Sequence, residues 1–483
     1  MNKWADKQVL VLGLGETGLS LVRWLSTQGA RLRVADSRSA PPGLAEASQY
    51  VGNGQIFCGT FGDTLFEGID LIAVSPGISL HEPAVARAVA RGIPVVGDIE
   101  LFAQQLKAQS SILDPHEKSP SPQSSPACGR GGKREKQPLI LAITGANGKT
   151  TVTSMVEHLC KAANRDAVAA GNISPAVLDV VAARDTKKPE VWVLELSSFQ
   201  LETTFSLNAD AAAVLNVSED HLDRYRNLDE YAAAKARIFQ GSGVQVLNRD
   251  DPRSMNMALP GRKLITFGLD APRNERDWGV EQDGDDIWLM CGQQRLIKAG
   301  ELQITGLHNI ANALAALALC RAINLPLPLL LTALRSFRGL PHRVERVAEI
   351  DGVIWYDDSK GTNVGATKAA LQGLGRKAVL IAGGEGKGQD FAPLNPAVAQ
   401  HARAVVLIGR DAPLIEAALH GCGVPLERAA DMEGAVQQAA RLAQNGDAVL
   451  LSPACASFDM FRNYAHRAEV FVAAVRGLAR EVA

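Results

Sequence analysis

Short apolar runs alternate with segments of helical periodicity along almost the whole chain. Each run has the continuous apolar character of a strand that is buried on both faces. The segment after it places apolar residues three or four positions apart. This alternation predicts helices packed on mostly parallel sheets, the α/β class. The predicted strands start near residues 8, 30, 69, 139, 191, 211, 353, 378, 404 and 448.

The alternation is interrupted between residues 108 and 137, where serine, proline, glycine and basic residues replace the apolar pattern. Such a composition cannot bury enough apolar area to offset the entropy of ordering it, so we predict a disordered linker or insertion. A chain of 483 residues fits about three domains. We therefore predict a Rossmann-like domain at 1–107, a mostly parallel, P-loop ATPase-like domain at 138–339, and a second Rossmann-like domain at 340–483.

Charge and composition exclude several classes of protein. The chain has 50 basic and 52 acidic side chains, which does not favour a nucleic-acid or membrane surface. Seven irregularly spaced cysteines argue against a disulfide framework and favour a reducing compartment. We find neither the apolar core of a signal peptide near Met1 nor an apolar run long enough to span a membrane. These features predict a cytoplasmic protein.

The stretch 139–151 has the strongest chemical signal. An apolar strand run leads into Gly145-Ala146-Asn147-Gly148-Lys149-Thr150-Thr151 and then into a helical segment. Glycines let backbone N–H groups approach phosphate oxygens, Lys149 adds a positive charge, and a threonine hydroxyl can bind Mg²⁺. Ile143 stands where the full pattern, Gly-x4-Gly-Lys-Ser/Thr, has glycine, so the loop is a shortened form. The motif alone leaves two interpretations: a nucleotide-phosphate site, or a left-handed turn without a ligand.

A second glycine turn, Gly13-Leu14-Gly15-Glu16-Thr17-Gly18, follows the first strand, and the next strand ends at Asp36. This is the dinucleotide-binding pattern, in which an acidic residue follows the glycines by about 20 positions. These residues leave three interpretations open: an NAD-dependent dehydrogenase, a structural layer with a tight turn, or a site for another diphosphate such as that of a UDP-sugar. Ser75 begins another turn at the carboxyl end of a strand, where ligands bind in such sheets.

Acidic and basic residues near strand ends suggest a metal site. Glu195 lies in an otherwise apolar strand, where a carboxylate is costly unless it is paired or binds a metal. Asp220 and His221 follow another strand, and Lys235 lies in the next helical segment. A buried ion pair, an ordinary loop histidine and a solvated helix lysine are the simpler interpretations. Between Lys263 and Leu302 the sequence predicts strands and polar turns but no chemistry.

These motifs together resemble the Mur ligase family of peptidoglycan precursor synthesis, and within it the D-glutamate-adding branch. The resemblance covers almost the whole chain except residues 108–137, and the family pattern has aspartate where this chain has Glu385. The motifs that carry it are Gly145-x-Asn147-Gly148-Lys149-Thr150, Gly171-Asn172-Ile173, Glu195-Leu196-Ser197-Ser198-Phe199-Gln200-Leu201, Asn216-x4-His221-Leu222-Asp223, the Lys235 helix, Leu307-His308-Asn309-Ile310-x-Asn312-Ala313, Pro341-His342-Arg343, Asp358-Ser359-Lys360-Gly361-Thr362-Asn363 and Ser452-Pro453-Ala454-Cys455-Ala456-Ser457.

The resemblance implies an ATP-dependent ligase that joins UDP-N-acetylmuramoyl-L-alanine to D-glutamate through an acyl phosphate, in cell-wall biogenesis, cell shape and cell division. It implies a monomer with ATP and two Mg²⁺ ions, and no nucleic-acid or membrane partner. The implied catalytic residues are Lys149, His221 and Lys235. The implied metal ligands are Thr150 or Thr151, Glu195, His221 and Lys235, the last as its carbamate because an ammonium cannot ligate Mg²⁺.

The resemblance also assigns the remaining binding residues. Those implied for ATP are Gly145, Ala146, Asn147, Gly148, Lys149, Thr150, Thr151, Asn309 and Arg343. Those implied for the UDP-substrate are Gly15, Thr17, Gly18, Asp36, Ser37, Ser75 and Asn172. Those implied for the amino acid are Lys360, Thr362, Lys387, Ser457 and Tyr464.

Other functions remain open at the level of sequence. One is an NAD-dependent dehydrogenase, which leaves the phosphate loop at 139–151 unexplained. Another is a catalytically silent UDP-sugar-binding protein, which leaves Lys149, Glu195, His221 and Lys235 without a role. Within the family, another amino-acid-adding ligase is the nearest alternative, and folylpolyglutamate synthase is disfavoured by the UDP-type first domain.

Overall fold

Three α/β sheets follow one another along the chain in a computed structural model, which describes residues 3–52, 54–113, 137–184, 187–220 and 224–482. We call them the N-terminal, central and C-terminal sheets. Their strand orders are β3-β2-β1-β4-β5, β14-β13-β12-β11-β10-β9-β6-β8-β7 and β15-β16-β20-β17-β18-β19. The ladders are parallel except where β13 pairs with β12 and β14, and where β15 pairs with β16.

The strands of the N-terminal sheet are β1 Gln8–Leu12, β2 Arg31–Asp36, β3 Ile56–Cys58, β4 Leu71–Val74 and β5 Val95–Val96. Those of the central sheet are β6 Leu139–Thr144, β7 Ala167–Gly171, β8 Val191–Glu195, β9 Ala211–Val214, β10 Val244–Asn248, β11 Leu264–Phe267, β12 Trp278–Asp283, β13 Asp286–Cys291 and β14 Gln294–Lys298. Those of the C-terminal sheet are β15 Glu345–Ile350, β16 Val353–Asp357, β17 Ala378–Gly383, β18 Ala402–Ile408, β19 Leu426–Arg428 and β20 Ala448–Leu451.

Helices form most of the connections between parallel strands, which cannot be joined by a tight turn. They are α1 Glu16–Thr27, α2 Leu44–Ala47, α3 Pro83–Ala90, α4 Asp98–Leu113, α5 Lys149–Ala162, α6 Val177–Ala183, α7 Ser198–Glu202, α8 Leu228–Ala236, α9 Pro252–Met255, α10 Leu307–Ala322, α11 Leu327–Ser336, α12 Val364–Gly373, α13 Asn395–His401, α14 Ala412–Ala418, α15 Met432–Leu442 and α16 Tyr464–Val482. None of these helices is long and apolar enough to cross a membrane.

The first glycine turn shows why its sequence is restricted. Gly13 has a φ of +90°, which a residue with a Cβ adopts only under strain. A Cβ on Gly18 would lie 1.8 Å from the carbonyl oxygen of Gly13. Glycine at both positions therefore lets α1 begin directly over the end of β1.

The predicted α/β class with three successive mostly parallel sheets is confirmed. The six described cysteines are free thiols. Helix α4 continues to Leu113, so the predicted disordered linker does not begin at residue 108. The predicted disorder falls mainly on residues 114–136, which lie outside the described residues, and the predicted domain bounds stay a prediction.

Candidate functional site

Residues from all three sheets surround a cavity of ≈ 570 Å³. The N-terminal side contributes Glu16 and Thr17 from the start of α1. The central part contributes most of the wall, and the C-terminal part closes it. The lining residues are Glu16, Thr17, Ala146, Asn147, Gly148, Lys149, Thr150, Gly171, Asn172, Ile173, Ser174, Ala176, Glu195, Asp220, Arg343, Lys360, Thr362, Asn363 and Tyr464.

The stretch 139–151 has the geometry predicted for a phosphate loop. Helix α5 begins at Lys149, directly after Gly148 with a φ of +82°. A Cβ on Gly148 would lie 2.5 Å from the Oδ1 atom of Asn312, so this position requires glycine for space as well as for conformation. The N-terminus of α5 therefore opens into the cavity and is suited to bind an anion.

The amine of Lys149 folds back over this loop. Its Nζ atom donates hydrogen bonds of 2.9 Å to the carbonyl oxygens of Gly145 and Ala146. Burial lowers its pKa, while the carboxylates of Glu195 and Asp220 act in the opposite direction. The Lys149 amine thus lies within reach of an anion bound at the helix N-terminus.

Lys235 meets the same loop from helix α8. Its side chain is buried, and its Nζ atom donates to the carbonyl oxygen of Gly145 at 2.9 Å and lies 4.2 Å from the ring centre of Tyr231. Burial and the nearby charge of Lys149 lower its pKa well below the ordinary value. The interpretation of Lys235 as a solvated helix lysine is therefore wrong.

Glu195, at the end of β8, presents a carboxylate to the cavity. Its Oε1 atom accepts a hydrogen bond of 3.1 Å from the Asn172 amide. Its Oε2 atom is buried and has no hydrogen-bond partner among the described residues. A buried, unpaired carboxylate oxygen is costly without a cation. Glu195 therefore fits a metal ligand better than a structural ion pair.

The C-terminal part reaches the phosphate loop through two side chains. The Nη2 atom of Arg343 donates to the Thr150 hydroxyl at 2.9 Å. The Nδ2 atom of Asn363 donates to the Asn147 side-chain oxygen at 3.0 Å. Lys360 lies nearby, with its Nζ atom 3.8 Å from the ring centre of Tyr464. Positive charges from the C-terminal part therefore face the N-terminus of α5.

A second cavity of ≈ 350 Å³ lies against the other side of the phosphate loop, and Asn147, Gly148, Arg343 and Lys360 line both cavities. Its wall is more apolar, and its lining includes Thr151, Asn216, Phe267, Leu269, His308, Asn309, Asn312 and Asp358. Burial raises the pKa of Asp358 to about 7, although the Ser452 hydroxyl donates to this carboxylate at 2.6 Å. An apolar pocket with a few polar groups beside a phosphate loop suits a nucleoside.

Phe267 and Leu269 correct the expectation that residues 263–302 carry no chemistry. Phe267 is the last residue of β11 and Leu269 follows it, at the strand end where ligands bind in parallel sheets. Asp358 and Asn363 also line the cavities; they were part of the motifs but were not among the predicted site residues, whereas Asp220 was named with the acids that suggest a metal site. A polar or acidic residue directly after a predicted strand was the available signal.

The predicted UDP-substrate residues fall into two groups. Thr17 and Asn172 line the first cavity, whereas Gly15, Gly18, Asp36, Ser37 and Ser75 line neither cavity. The buried Asp36 carboxylate accepts the Leu14 N–H at 2.7 Å and binds Arg38, whose guanidinium lowers the pKa of Asp36 to about 2. Asp36 thus holds the glycine turn in place in the structure.

Among the predicted amino-acid residues, Lys360, Thr362 and Tyr464 line the first cavity. Lys387 is exposed and has a φ of +52°, and Ser457 is buried; neither lines either cavity. His221 lies outside the described residues.

Three family models match successive parts of the chain. They are a Mur ligase MurD-like N-terminal domain over residues 7–97, a Mur ligase middle domain over 143–320, and a Mur ligase glutamate ligase domain over 342–455. The chain is 56% identical over 476 residues to the UDP-N-acetylmuramoylalanine–D-glutamate ligase of Nitrosospira multiformis, covering 98% of this chain and 96% of that protein. It is also 56% identical to the enzyme of the same name from Thiobacillus denitrificans, and the match covers 99% of this chain and 98% of that protein.

A solved structure has the same fold at lower identity. UDP-N-acetylmuramate-alanine ligase from Thermotoga maritima is 18% identical, covers 98% of this chain and 99% of its own, and has a TM-score of 0.59.

Proposed function

The chain belongs to the Mur ligase family, and from this premise we infer that it is an ATP-dependent ligase that joins D-glutamate to UDP-N-acetylmuramoyl-L-alanine in peptidoglycan synthesis. The high identity to D-glutamate ligases over nearly the full length excludes the two alternative functions, an NAD-dependent dehydrogenase and folylpolyglutamate synthase. The observation that carries the reaction type is the position of the phosphate loop between two cavities: Asn147 and Gly148 line both, and Lys149 lines the larger one.

The two cavities divide the substrates in a way that suits ligation. The nucleoside of ATP occupies the more apolar cavity beside Phe267 and Asn309. Its γ-phosphate lies at the N-terminus of α5. The substrate carboxylate and the incoming amine meet in the larger cavity, which all three parts of the chain enclose. Enclosure excludes water from the acyl phosphate.

The reaction proceeds in two displacements. A carboxylate oxygen of the L-alanyl group attacks the γ-phosphorus, and ADP leaves with the electrons of the broken bond. The neutral amine of D-glutamate then attacks the acyl carbon, and as the C–N bond forms the nitrogen releases one proton and inorganic phosphate leaves with the electrons of the broken C–O bond. Lys149 and Arg343 offset the repulsion between the two anions and the charge that develops on the transferred group.

The donor set fits Mg²⁺. Glu195, with its unpaired Oε2 atom, and the Thr150 hydroxyl are hard oxygen donors beside the phosphate site. His221 and Lys235 hold a second ion in this proposal, Lys235 as its carbamate. When bound, Mg²⁺ neutralises phosphate charge and polarises the transferred phosphoryl group.

The surroundings of Lys235 suit formation of that carbamate. Its buried amine has a carbonyl acceptor at Gly145 and a depressed pKa, so the neutral, nucleophilic form is accessible. Nitrogen attacks CO₂, one proton is released, and the side chain becomes an anion. Intact-mass analysis in bicarbonate buffer, with a Lys235→Arg control, should detect one added CO₂ on the wild-type chain alone.

Lys360, Thr362 and Tyr464 bind D-glutamate in the proposal, and Lys387 and Ser457 join them on closure. The N-terminal residues Gly15 to Gly18, Asp36, Ser37 and Ser75 bind the UDP moiety, with Asn172 near the muramoyl group. We further propose that the enzyme works as a cytoplasmic monomer without a nucleic-acid partner.

Phosphate release tests the function directly. We expect release with ATP, Mg²⁺, UDP-N-acetylmuramoyl-L-alanine and D-glutamate, and no comparable release with L-glutamate or without either substrate. Release that continues at the same rate without D-glutamate would sink the assignment. Glu195→Gln, which keeps the shape but removes the charge, should weaken binding of Mn²⁺ measured by electron paramagnetic resonance.

A further inference from the structure

Arg224 links the central part of the chain to a turn of the N-terminal sheet. Its Nη1 atom donates to the carbonyl oxygen of Pro76 at 2.8 Å, and its Nη2 atom donates to that of Ile78 at 2.6 Å. These carbonyls belong to the turn 75–78, which follows β4 and is closed by a hydrogen bond of 3.0 Å from Ile78 N to Ser75 O. A planar guanidinium can bridge two carbonyls with little loss of side-chain freedom.

The turn 75–78 packs closely against the first glycine turn, at Gly13. A Cβ built on Gly13 would lie 2.9 Å from the Cβ atom of Ser75 and 3.2 Å from the Cγ1 atom of Ile78. The glycine turn leads to the N-terminus of α1, where Glu16 and Thr17 line the large cavity. A shift of the turn 75–78 is therefore transmitted by direct contact to the cavity wall.

A chain of aromatic rings fixes Arg224 on its other side. The guanidinium lies 4.0 Å from the ring centre of Phe199. Phe199 stacks on Tyr225, with ring centres 6.0 Å apart and an angle of 17° between the planes. The ring centres of Tyr225 and Tyr231 lie 5.2 Å apart, and the Nζ atom of Lys235 lies over the ring of Tyr231. The rings at 225 and 231 are buried, so Arg224 is held by well-packed side chains rather than by solvent.

We propose that Arg224 is a positioning residue for the UDP-substrate: it fixes the turn 75–78 and, through Gly13, the N-terminus of α1. The proposal rests on the assignment of the N-terminal sheet to the UDP-substrate. Arg224 acts through the backbone it holds, so its loss weakens binding of the UDP-substrate, while ATP, which contacts the central and C-terminal parts, binds as before.

Arg237 provides a matched control in the same region. It donates to two backbone carbonyls, Leu201 O at 2.6 Å and Thr204 O at 2.8 Å, and its guanidinium lies 5.1 Å from the ring centre of Phe205. Its partners all belong to the central part of the chain. Arg237→Ala therefore removes the same kinds of contact as Arg224→Ala without touching the turn 75–78.

The test is calorimetric binding of UDP-N-acetylmuramoyl-L-alanine without ATP or D-glutamate, together with steady-state kinetics. Arg224→Ala should raise both Kd and KM for this substrate roughly tenfold, as expected for losing two hydrogen bonds from a charged donor. The KM for ATP and kcat at saturating substrates should stay within about twofold, since saturation restores the bound geometry. Arg224→Lys should recover part of the loss, because an ammonium can donate to a carbonyl but does not lie flat on Phe199.

Melting temperatures separate positioning from general loss of stability. Arg237→Ala should lower the melting temperature about as much as Arg224→Ala but leave Kd unchanged. Equal loss of binding in both variants, or a Kd for Arg224→Ala within twofold of the wild type, would overturn the proposal. A wild-type protein that binds no UDP-substrate would instead refute the proposed function.

Discussion

The N-terminal and C-terminal sheets are attached to the central sheet in different ways. The N-terminal and central sheets share one cluster of buried apolar side chains, in which Phe102 of α4 meets Trp192 of β8 edge-on at 4.8 Å. The clusters of the C-terminal sheet, among the described residues, contain only residues from 344 onward. The C-terminal part contacts the phosphate loop through two polar pairs, Arg343 with Thr150 and Asn363 with Asn147, and its helix α12 lies against α10 of the central part.

This difference indicates that the boundary between the N-terminal and central sheets is fixed, whereas the boundary between the central and C-terminal sheets responds to ligands. We call the first the fixed boundary and the second the polar boundary. Apolar burial is independent of substrate, so the first two sheets should behave as one body. The polar contacts of the C-terminal part end on the phosphate loop itself, where we propose that a nucleotide binds. Its position should therefore depend on the occupied state of the site.

The largest expected effect tests the shared apolar cluster. Phe102→Ala removes a fully buried ring and leaves a cavity against Trp192, which should lower the free energy of unfolding by about 3–5 kcal/mol. Hydrogen exchange followed by mass spectrometry should show faster exchange in both the N-terminal and the central strands.

Phe471→Ala is the matched control on the other side. Phe471 is also fully buried and lies 6.2 Å from Trp355, within the C-terminal cluster. In Phe471→Ala, faster hydrogen exchange should be confined to residues after 344. Exchange that rises equally in all three sheets for either variant would contradict the comparison.

A buried carboxylate at the fixed boundary should give it a pH dependence. Asp98 is fully buried at the start of α4, and the Gln200 amide donates to both carboxylate oxygens, at 3.3 and 3.1 Å. Burial raises the pKa of Asp98 from 3.8 to about 6, against the opposing effect of Gln200. Between these values the unfolded chain ionises while the folded chain holds its proton, so stability is present at low pH and is lost as pH rises through about 6.

Asp98→Asn removes this titration. The stability of the wild type relative to the variant should fall by about 2–3 kcal/mol as the pH rises from about 4 to 7. Urea unfolding across this range measures it, with Asp285→Asn, in an exposed hairpin turn, as the control for loss of one negative charge. A difference that stays constant with pH would contradict the role assigned to burial.

The features that could be predicted from the sequence are those that depend on the local pattern of apolar, glycine and charged residues. The strand, turn and helix at 139–162 follow from apolar period and glycine placement, and the acid in the apolar strand at Glu195 was visible as an anomaly. Contacts between distant positions left no local trace: Arg343 meets Thr150 across 193 positions, and Asn363 meets Asn147 across 216. The end of α4 also differed, because a polar composition after residue 107 does not prevent continued helix formation.

Removing a contact at the polar boundary should have a smaller effect, and it should lower activity rather than stability. Asn363 caps α12 by accepting the Ala366 N–H at 2.8 Å, while its amide donates to Asn147. Serine retains the cap but is too short to reach the phosphate loop. Asn363→Ser should lower kcat/KM for D-glutamate roughly tenfold through loss of one hydrogen bond, with an unchanged melting temperature.

Asn363→Ala completes this comparison. It should lose activity to the same degree and also lose about 1 kcal/mol of stability with the helix cap. A kcat/KM for Asn363→Ser within twofold of the wild type would show that the Asn147 contact does not couple the C-terminal part to the phosphate loop.

The smallest effect is expected from the exposed polar contact at the fixed boundary. Arg23 of α1 binds the Asp179 carboxylate of α6 at 3.1 and 2.7 Å and also contacts Glu46. About a third of the Arg23 and Asp179 side chains is exposed, so water and salt screen the pair. Arg23→Ala should therefore cost about 1 kcal/mol or less, and the loss should shrink further in about 0.5 M NaCl. Thermal unfolding at two salt concentrations, with Arg23→Lys as the charge-retaining control, measures this. A loss as large as that of Phe102→Ala would mean that the N-terminal sheet, like the C-terminal one, is held by polar contacts, and the contrast between the two boundaries would fail.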